Sequence, residues 1–309
     1  MRKMFVKRVI LLIAVLIVAG IFLLLYLSKN APMVPTNYQN SVETGGKIES
    51  TYLKMGTHEV SHSEGFFPTG SPKAWGNYVI YYPKDLEQSS RKYPVVVSAN
   101  GTGVPASHYT AMFEHLASWG FIVLGNEDPE TATGASVDAT LSALLKEDKN
   151  PESVFFEKVD TDNIGIFGHS QGGVSTFNAI SIQEHKNIYQ TAVSLSPSDE
   201  ENSRAQGRPY DPSKVSIPIL VLAGSGVDAI SLKNMQLMYQ KIEAPRLFAR
   251  KVGMNHGEML YSADGYVTAW FMWRLQDDEN AAKAFTGDSP EIFNNKLYQD
   301  QQSNLEKER

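Results

Sequence analysis

Short apolar runs alternate along this chain with segments whose apolar residues recur at helical spacing. Runs of four to seven mainly apolar residues, bounded by glycine, proline or polar residues, predict strands. These predicted strands lie at 77–82, 94–98, 120–125, 163–167, 192–195, 217–223 and 246–252. Helical spacing is found at 108–118, 135–145 and 232–242, and residues 266–275 are apolar nearly all round, which indicates a helix buried against the sheet. Strands that alternate with helices indicate an α/β fold with a mostly parallel sheet covered on both faces.

The N-terminus has a different pattern. Residues 9–27 are nineteen almost unbroken apolar residues, about the length that crosses a hydrocarbon core roughly 30 Å thick. Four basic residues precede them: Arg2, Lys3, Lys7 and Arg8. This bias predicts a single-pass signal anchor in the cell membrane, with residues 1–8 in the cytoplasm and the folded domain extracytoplasmic. Secretion after signal cleavage is the alternative, although a signal peptide's apolar region is usually only about 7–15 residues long.

Two further segments lack the pattern of a buried core. Residues 28–50 are polar, with prolines and a pair of glycines, and are predicted to be a tether. Residues 294–309 are polar and charged, and are predicted to be a frayed tail. The folded domain is therefore expected at 51–293, a length that buries a substantial core. Within it, residues 197–216 contain three prolines and are expected to form an irregular loop beside the site.

Composition excludes several classes of function. A net charge of −6 gives no reason to expect a nucleic-acid partner. The absence of cysteine excludes disulfides, thiolate metal ligands and cysteine nucleophiles. A hydrophobic content of 42% is typical of a globular protein.

The motif Gly168-His169-Ser170-Gln171-Gly172 directly follows the predicted strand at 163–167 and precedes a plausible helix. In that context G-x-S-x-G predicts a nucleophile elbow, in which a sharp turn lifts the serine hydroxyl out of the sheet. Glycines on both sides let the strand and the helix approach each other closely. A tight glycine-rich turn with an incidental serine is the alternative.

A serine hydroxyl needs a neighbouring base to become a good nucleophile. Behind such an elbow the expected order is serine, then an acid, then histidine, each on a loop after a strand. Asp228 follows the strand at 217–223, and His256 follows the strand at 246–252. We predict that His256 takes the proton of Ser170 and that Asp228 orients the imidazole.

Other candidates for these roles are less well placed. His185 lies at a polar helix end, and His169 belongs to the elbow and is expected to point elsewhere. Asp199, Asp211 and Asp264 are interpreted as solvated carboxylates. An oxyanion also needs two donors, usually the amide after the nucleophile and one from the loop after an early strand. Gln171 and Thr102 occupy those positions, although the Thr102 loop also fits an ordinary glycine-rich turn.

Over roughly residues 60–290 the chain resembles α/β-hydrolases, in the branch that holds cutinase-like polyester hydrolases, chlorophyllase-like esterases and dienelactone-hydrolase relatives. The resemblance is carried by residues 168–173 (GHSQGG), 116–121 (LASWGF) and 268–271 (TAWF), with 277–285 following. It implies an α/β-hydrolase fold and an ester-cleaving serine hydrolase with no metal and no organic cofactor. It also supports the amides of Thr102 and Gln171 as oxyanion donors.

The chain departs from cutinase-like enzymes at three points. Those enzymes commonly carry an aromatic residue at the Thr102 position, often a methionine at the Gln171 position, and a disulfide that a cysteine-free chain cannot form. The resemblance therefore does not imply chlorophyll or synthetic polyester as the substrate.

The sequence thus predicts a membrane-anchored serine esterase that acts on a small-molecule or lipid-like ester through an acyl-enzyme. Its activity needs neutral His256 and is expected to fall at acid pH. Acyl transfer and thioester or peptide cleavage use the same triad and remain open. A catalytically inactive binding protein on this fold is a further alternative, which the complete triad argues against.

Overall fold

A nine-stranded sheet runs through residues 32–305, the part of the chain that this computed structural model describes. Its strands are β1 (Val60–Phe66), β2 (Asn77–Pro83), β3 (Tyr93–Ala99), β4 (Ile122–Asn126), β5 (Val159–His169), β6 (Tyr189–Leu195), β7 (Ile219–Gly224), β8 (Arg246–Lys251) and β9 (Tyr298–Ser303). The spatial order is β1-β2-β4-β3-β5-β6-β7-β8-β9. Strands β2 to β8 match the seven predicted strands.

Six central strands are parallel, from β4 through β3, β5, β6 and β7 to β8. Strands β1, β2 and β9 complete the two edges in antiparallel pairing. Parallel strands bring their carboxyl ends to one edge of the sheet, where the loops after them form a crevice. The loops after β3, β5, β7 and β8, which carry the predicted site residues, therefore gather at that edge.

Helices cover both faces of the sheet. They are α1 (Lys47–Tyr52), α2 (Thr110–Ser118), α3 (Ala135–Glu147), α4 (Gln171–Ala179), α5 (Glu200–Ala205), α6 (Leu232–Lys241), α7 (Met259–Ser262), α8 (Asp264–Gln276), α9 (Glu279–Ala282) and α10 (Glu291–Asn294). Successive side chains of a strand point to opposite faces. Accordingly, Val96 of β3 packs in the core that contains α2 and α8, whereas Val95 and Val97 pack in the core that contains α3, α4 and α6. The predicted α/β fold with a mostly parallel sheet is confirmed.

The folded part begins before the expected boundary at residue 51. Val34 and Tyr38 are each 1% exposed, and the Tyr38 ring packs against His115 and Tyr261. Further along, α1 buries Glu49. The segment expected to be a tether is thus attached to the core through Val34, Tyr38 and Glu49, scattered side chains that leave no periodic pattern in the sequence.

The expected C-terminal tail also differs. Residues 298–303 form β9, which pairs with β8, and Tyr298 is 4% exposed. The rest of β9 is polar and half-buried, because an edge strand is held by backbone hydrogen bonds and needs little apolar surface. Residues 197–216 are likewise more ordered than expected, since they contain α5 and the buried Tyr210.

The predicted cytoplasmic segment 1–8 and membrane span 9–27 lie outside the described residues. Across residues 32–305, every helix is too short or too polar to cross a membrane.

Candidate active site

Ser170 sits at the sharp turn between β5 and α4, with backbone angles φ 62° and ψ −120°. A non-glycine residue rarely adopts this region, which costs about 1–3 kcal/mol and persists only when its surroundings enforce it. Here the enforcement is close backbone packing. A Cβ on Gly172 would lie 1.9 Å from the Ala99 carbonyl oxygen, and one on Gly168 would lie 2.1 Å from the Gly172 oxygen. The elbow therefore requires glycine at both positions, as the motif indicates.

The three predicted catalytic side chains form one hydrogen-bonded chain. His256 Nε2 lies 2.9 Å from Ser170 Oγ, and His256 Nδ1 lies 3.0 Å from Asp228 Oδ1. The side chain of Asp228 is 2% exposed and that of His256 is 32% exposed. The carboxylate is thus shielded from water, while the imidazole and the half-buried Ser170 open to the surface.

Direct hydrogen bonds join the loop that carries Asp228 to the loop that carries His256. The Gly226 amide donates to the Met254 carbonyl at 2.9 Å, and the His256 amide donates to the Val227 carbonyl at 2.8 Å. In addition, the Val227 amide donates to Asn255 Oδ1 at 3.1 Å. The Asp228–His256 distance is therefore set by the backbone of both loops, as well as by the side chains.

Asp228 is held as a carboxylate. Burial alone would raise the pKa of this group, but the hydrogen bonds that it accepts outweigh burial and lower its pKa below the ordinary value. Besides His256, the donors are the Ser196 hydroxyl at 2.7 Å, the Ala229 amide at 2.6 Å and the Gly224 amide. A charged Asp228 favours the His256 tautomer with its proton on Nδ1, which leaves Nε2 free to accept from Ser170.

His169 belongs to the site, although it does not enter the cleft. Its ring is buried, and the centroids of the His169 and His256 rings lie 4.7 Å apart. His169 Nε2 donates to the His256 carbonyl oxygen at 2.7 Å. Burial, followed by the nearby His256, lowers the pKa of His169 to about 4. The expectation that His169 points elsewhere is therefore incomplete, because this neutral imidazole supports the backbone of His256.

The two amides predicted to hold the oxyanion have no acceptor within residues 32–305. Gln171 provides the first amide of α4. Thr102 is exposed at the second position of a turn, in which the Val104 amide donates to the Gly101 carbonyl at 3.2 Å and Gly103 has φ 71°. These features are those of a type II turn, which does not use the amide at its second position. Both amides remain candidates for the oxyanion role.

The other candidate acids and bases have different partners. His185 Nδ1 lies 3.0 Å from Asp138 of α3, and Asp199 and Asp211 accept backbone amides at the starts of short helical turns. Asp264 is 0% exposed, accepts from Tyr38 and lies 2.6 Å from His115, so it is not the solvated carboxylate that was expected. Asp199 is also buried, at 7% exposed.

Sequence reasoning missed Ser196, whose hydroxyl donates to Asp228. It directly follows β6, so its place at the carboxyl end of a central parallel strand was the available signal. Glu130, which contacts Gln171, lies in the loop after β4 and carries the same signal. Arg208, which contacts Thr102, lies in the irregular segment between α5 and β7 and has no such signal. Residues 32–305 contain no group of three or more histidine, aspartate or glutamate side chains arranged to hold a metal ion.

Comparison with known protein families matches residues 37–303 to a family named PETase and described as PET hydrolase-like. The match spans most of the chain, including α1 and all of β9. It agrees with the resemblance to polyester hydrolases seen in the sequence. A search of curated proteins gave no match.

Proposed function

This chain belongs to the PET hydrolase-like family, and we propose that it is a serine hydrolase that cleaves carboxylic esters through Ser170, His256 and Asp228. The observation that carries the proposal is the continuous chain from Ser170 Oγ to His256 Nε2 at 2.9 Å and from His256 Nδ1 to Asp228 Oδ1 at 3.0 Å. These distances allow a proton to leave the serine as its oxygen attacks a carbonyl carbon.

In the proposed mechanism, Ser170 Oγ attacks the ester carbonyl while His256 Nε2 takes its proton. The amides of Thr102 and Gln171 stabilise the oxyanion that develops on the carbonyl oxygen. His256 then gives the proton to the departing alcohol, which leaves an acyl group on Ser170. A water molecule that His256 activates attacks this acyl-enzyme and releases the acid, and Ser170 recovers its proton.

The accessibility of the site supports a small-molecule or polyester substrate. Ser170 and His256 are both half-buried rather than enclosed. The rim combines the exposed Thr102 with Val227, which is 82% exposed beside Asp228. An ester group within a longer molecule would reach Ser170 here without entering a deep cavity.

We place the catalytic domain on the extracytoplasmic side of a membrane. The support is the apolar segment 9–27 with four basic residues before it and Lys29 after it. Protease treatment of intact cells tests the placement, because only an extracytoplasmic domain is digested while the membrane remains closed.

The catalytic proposal is tested with the full chain and p-nitrophenyl esters of increasing acyl length. We expect wild-type hydrolysis and a loss of at least about 10⁴-fold in Ser170→Ala, because the nucleophile is gone. Ser175→Ala is the matched control, since Ser175 lies in α4 and its buried hydroxyl has no hydrogen-bond partner among the described residues. A fluorophosphonate should label Ser170 in the wild type and in the control.

The outcomes separate the alternatives. Equal hydrolysis by wild type and Ser170→Ala would contradict the proposal. If the fluorophosphonate labels the wild type but the wild type does not hydrolyse esters, the result would favour thioesters or peptides as substrates. If an added alcohol receives the acyl group in place of water, the result would indicate acyl transfer. An unlabelled, folded wild type would indicate an inactive hydrolase fold.

A further inference from the structure

The two amides expected to hold the oxyanion come from separate parts of the chain. Gln171 begins α4, whereas Thr102 lies on an exposed turn after β3. An oxyanion donor is effective when it lies about 2.7–3.1 Å from the position that the oxygen will occupy. Whatever joins these two segments therefore sets how well the amides converge.

The loop after β4 contacts both segments. On one side, its Pro129 carbonyl accepts from the Gly103 amide at 2.9 Å, and its Thr131 hydroxyl donates to the Asn100 carbonyl at 2.8 Å. On the other side, the Thr131 amide donates to Gln171 Oε1 at 2.9 Å. One loop thus serves as the common support for both predicted oxyanion donors.

Glu130 and Arg208 complete this support. Gln171 Nε2 donates to Glu130 Oε2 at 2.7 Å. Arg208 Nη2 donates to both Glu130 oxygens, at 2.9 and 2.7 Å, and Arg208 Nη1 approaches Thr102 Oγ1 at 3.4 Å. A continuous polar chain, Gln171–Glu130–Arg208–Thr102, therefore links one amide-bearing residue to the other.

The backbone beside Arg208 is itself held by α4. Asn178 Nδ2 donates to the Pro209 carbonyl at 3.1 Å, and the Tyr210 ring packs on Phe177 with centroids 4.9 Å apart. The polar chain is thus connected to α4 at two points, through Gln171 at one and through the residues beside Arg208 at the other. The backbone that carries Arg208 is therefore attached to α4.

We propose that Glu130 and Arg208 are positioning residues that hold the Gln171 and Thr102 amides in register for the oxyanion. This inference rests on the proposed function, because the two amides need alignment only if Ser170 forms a tetrahedral intermediate. The side chains of Arg208 and Glu130 are 22% and 54% exposed. Ion pairs with such exposure contribute little to stability, so their loss should change catalysis and leave folding nearly intact.

The test compares Glu130→Ala, Arg208→Ala and the double variant in the full chain. Each single variant should lower kcat about ten-fold with KM unchanged, because misaligned oxyanion donors weaken transition-state stabilisation more than substrate binding. The rate of Ser170 phosphonylation should fall in the same ratio, since that adduct also develops an oxyanion. The double variant should lose no more than the worse single variant, because the two residues act as one unit.

Arg204→Ala is the matched control. Arg204 lies on the same segment, at the end of α5, and lines a surface cavity with Lys241. It should keep wild-type kcat. Arg208→Lys keeps the charge without the two-pronged contact, and Glu130→Gln keeps the size without the charge. The kcat of both variants should fall between that of wild type and those of the alanine variants. If an alanine variant melts at a lower temperature, these conservative variants show whether kcat falls without a loss of stability.

Three results would overturn the inference. Wild-type kcat in Glu130→Ala and Arg208→Ala is the first. A rise in KM with unchanged kcat, which would mark a substrate contact, is the second. The third is a loss of kcat that parallels the loss of melting temperature across the variants, because it would indicate a structural role only. Failure of the proposed function is distinguishable, since wild type itself would then neither hydrolyse esters nor react with the fluorophosphonate.

Discussion

His169 and His256 lie side by side at the residue scale, yet their environments suit different roles. His256 is partly exposed and faces both Ser170 and Asp228. His169 is buried, and its Nε2 donates to the His256 carbonyl. A neutral His169 donates that hydrogen bond without placing a second positive charge beside the His256 imidazolium.

The stability of the protein should depend on His169 at mildly acid pH. Its pKa is about 4 in the folded chain against an ordinary value of 6.5, so between these values the unfolded chain binds more protons. Its contribution to stability is complete above pH 6.5 and is lost as pH falls toward 4, by up to about 3 kcal/mol. We expect His169→Gln, which keeps a donor, to show a smaller fall in melting temperature than wild type between pH 7 and 4.5.

Ser175→Ala is the control for this measurement, because it changes a buried side chain in α4 that does not titrate. It should leave the pH dependence nearly as in wild type. Parallel melting curves for wild type and His169→Gln would contradict the assignment of a suppressed charge to His169.

At the scale of elements, a buried polar cluster attaches the N-terminal segment to the sheet. Lys251 at the end of β8 is 2% exposed and donates to Glu49 of α1 at 3.2 Å, to the Glu43 carbonyl at 2.9 Å and to the Ser262 carbonyl. Burial lowers the pKa of Lys251, and Glu49 opposes that shift. Glu49 also accepts from Tyr298 at 3.0 Å, so the cluster joins α1, β8 and β9.

The two halves of this pair should respond unequally to substitution. Glu49→Ala leaves a buried ammonium with only carbonyl acceptors, and should lower the free energy of unfolding by about 3–5 kcal/mol. Lys251→Met should cost less, because Glu49 keeps neutral donors from Gly45, Asn295 and Tyr298. Urea denaturation measures both variants.

The exposed pair of Lys84 and Glu59 provides the reference, with side chains 60% and 82% exposed. Lys84→Ala should change the free energy of unfolding by no more than about 1 kcal/mol. A Glu49→Ala variant that is as stable as Lys84→Ala would show that the cluster does not attach α1 to the sheet.

At the scale of the whole molecule, the folded unit starts at Val34. A chain that starts at Val34 should therefore melt like the full-length protein. A chain that starts at Thr51 lacks Tyr38 and Glu49, and leaves Lys251 buried without its carboxylate partner. We expect its melting temperature to be at least about 10 °C lower, since 1 kcal/mol corresponds to about 2–4 °C in a domain of this size. If the chain that starts at Thr51 melted at the same temperature as the full-length protein, the folded domain would begin at residue 51 as the sequence predicts.

Most of the central sheet was predictable, because buried parallel strands are continuous apolar runs and the helices between them have a clear apolar face. The same holds for Ser170, Asp228 and His256 as candidates, since each directly follows a predicted strand and parallel strands end at one edge. Their catalytic roles remain predictions, as do those of Thr102 and Gln171.

The sequence by itself thus determined the central α/β order and which side chains meet at the carboxyl edge of the sheet. Only the tertiary structure decided the burial of Tyr38 and Asp264, the addition of β9 and the link between Glu130 and Arg208. The reason is physical: a local apolar period records which face of an element is buried. Edge-strand pairing and polar contacts depend on residues distant in the sequence, 226 positions apart for Tyr38 and Asp264, and such contacts leave no apolar period in either partner.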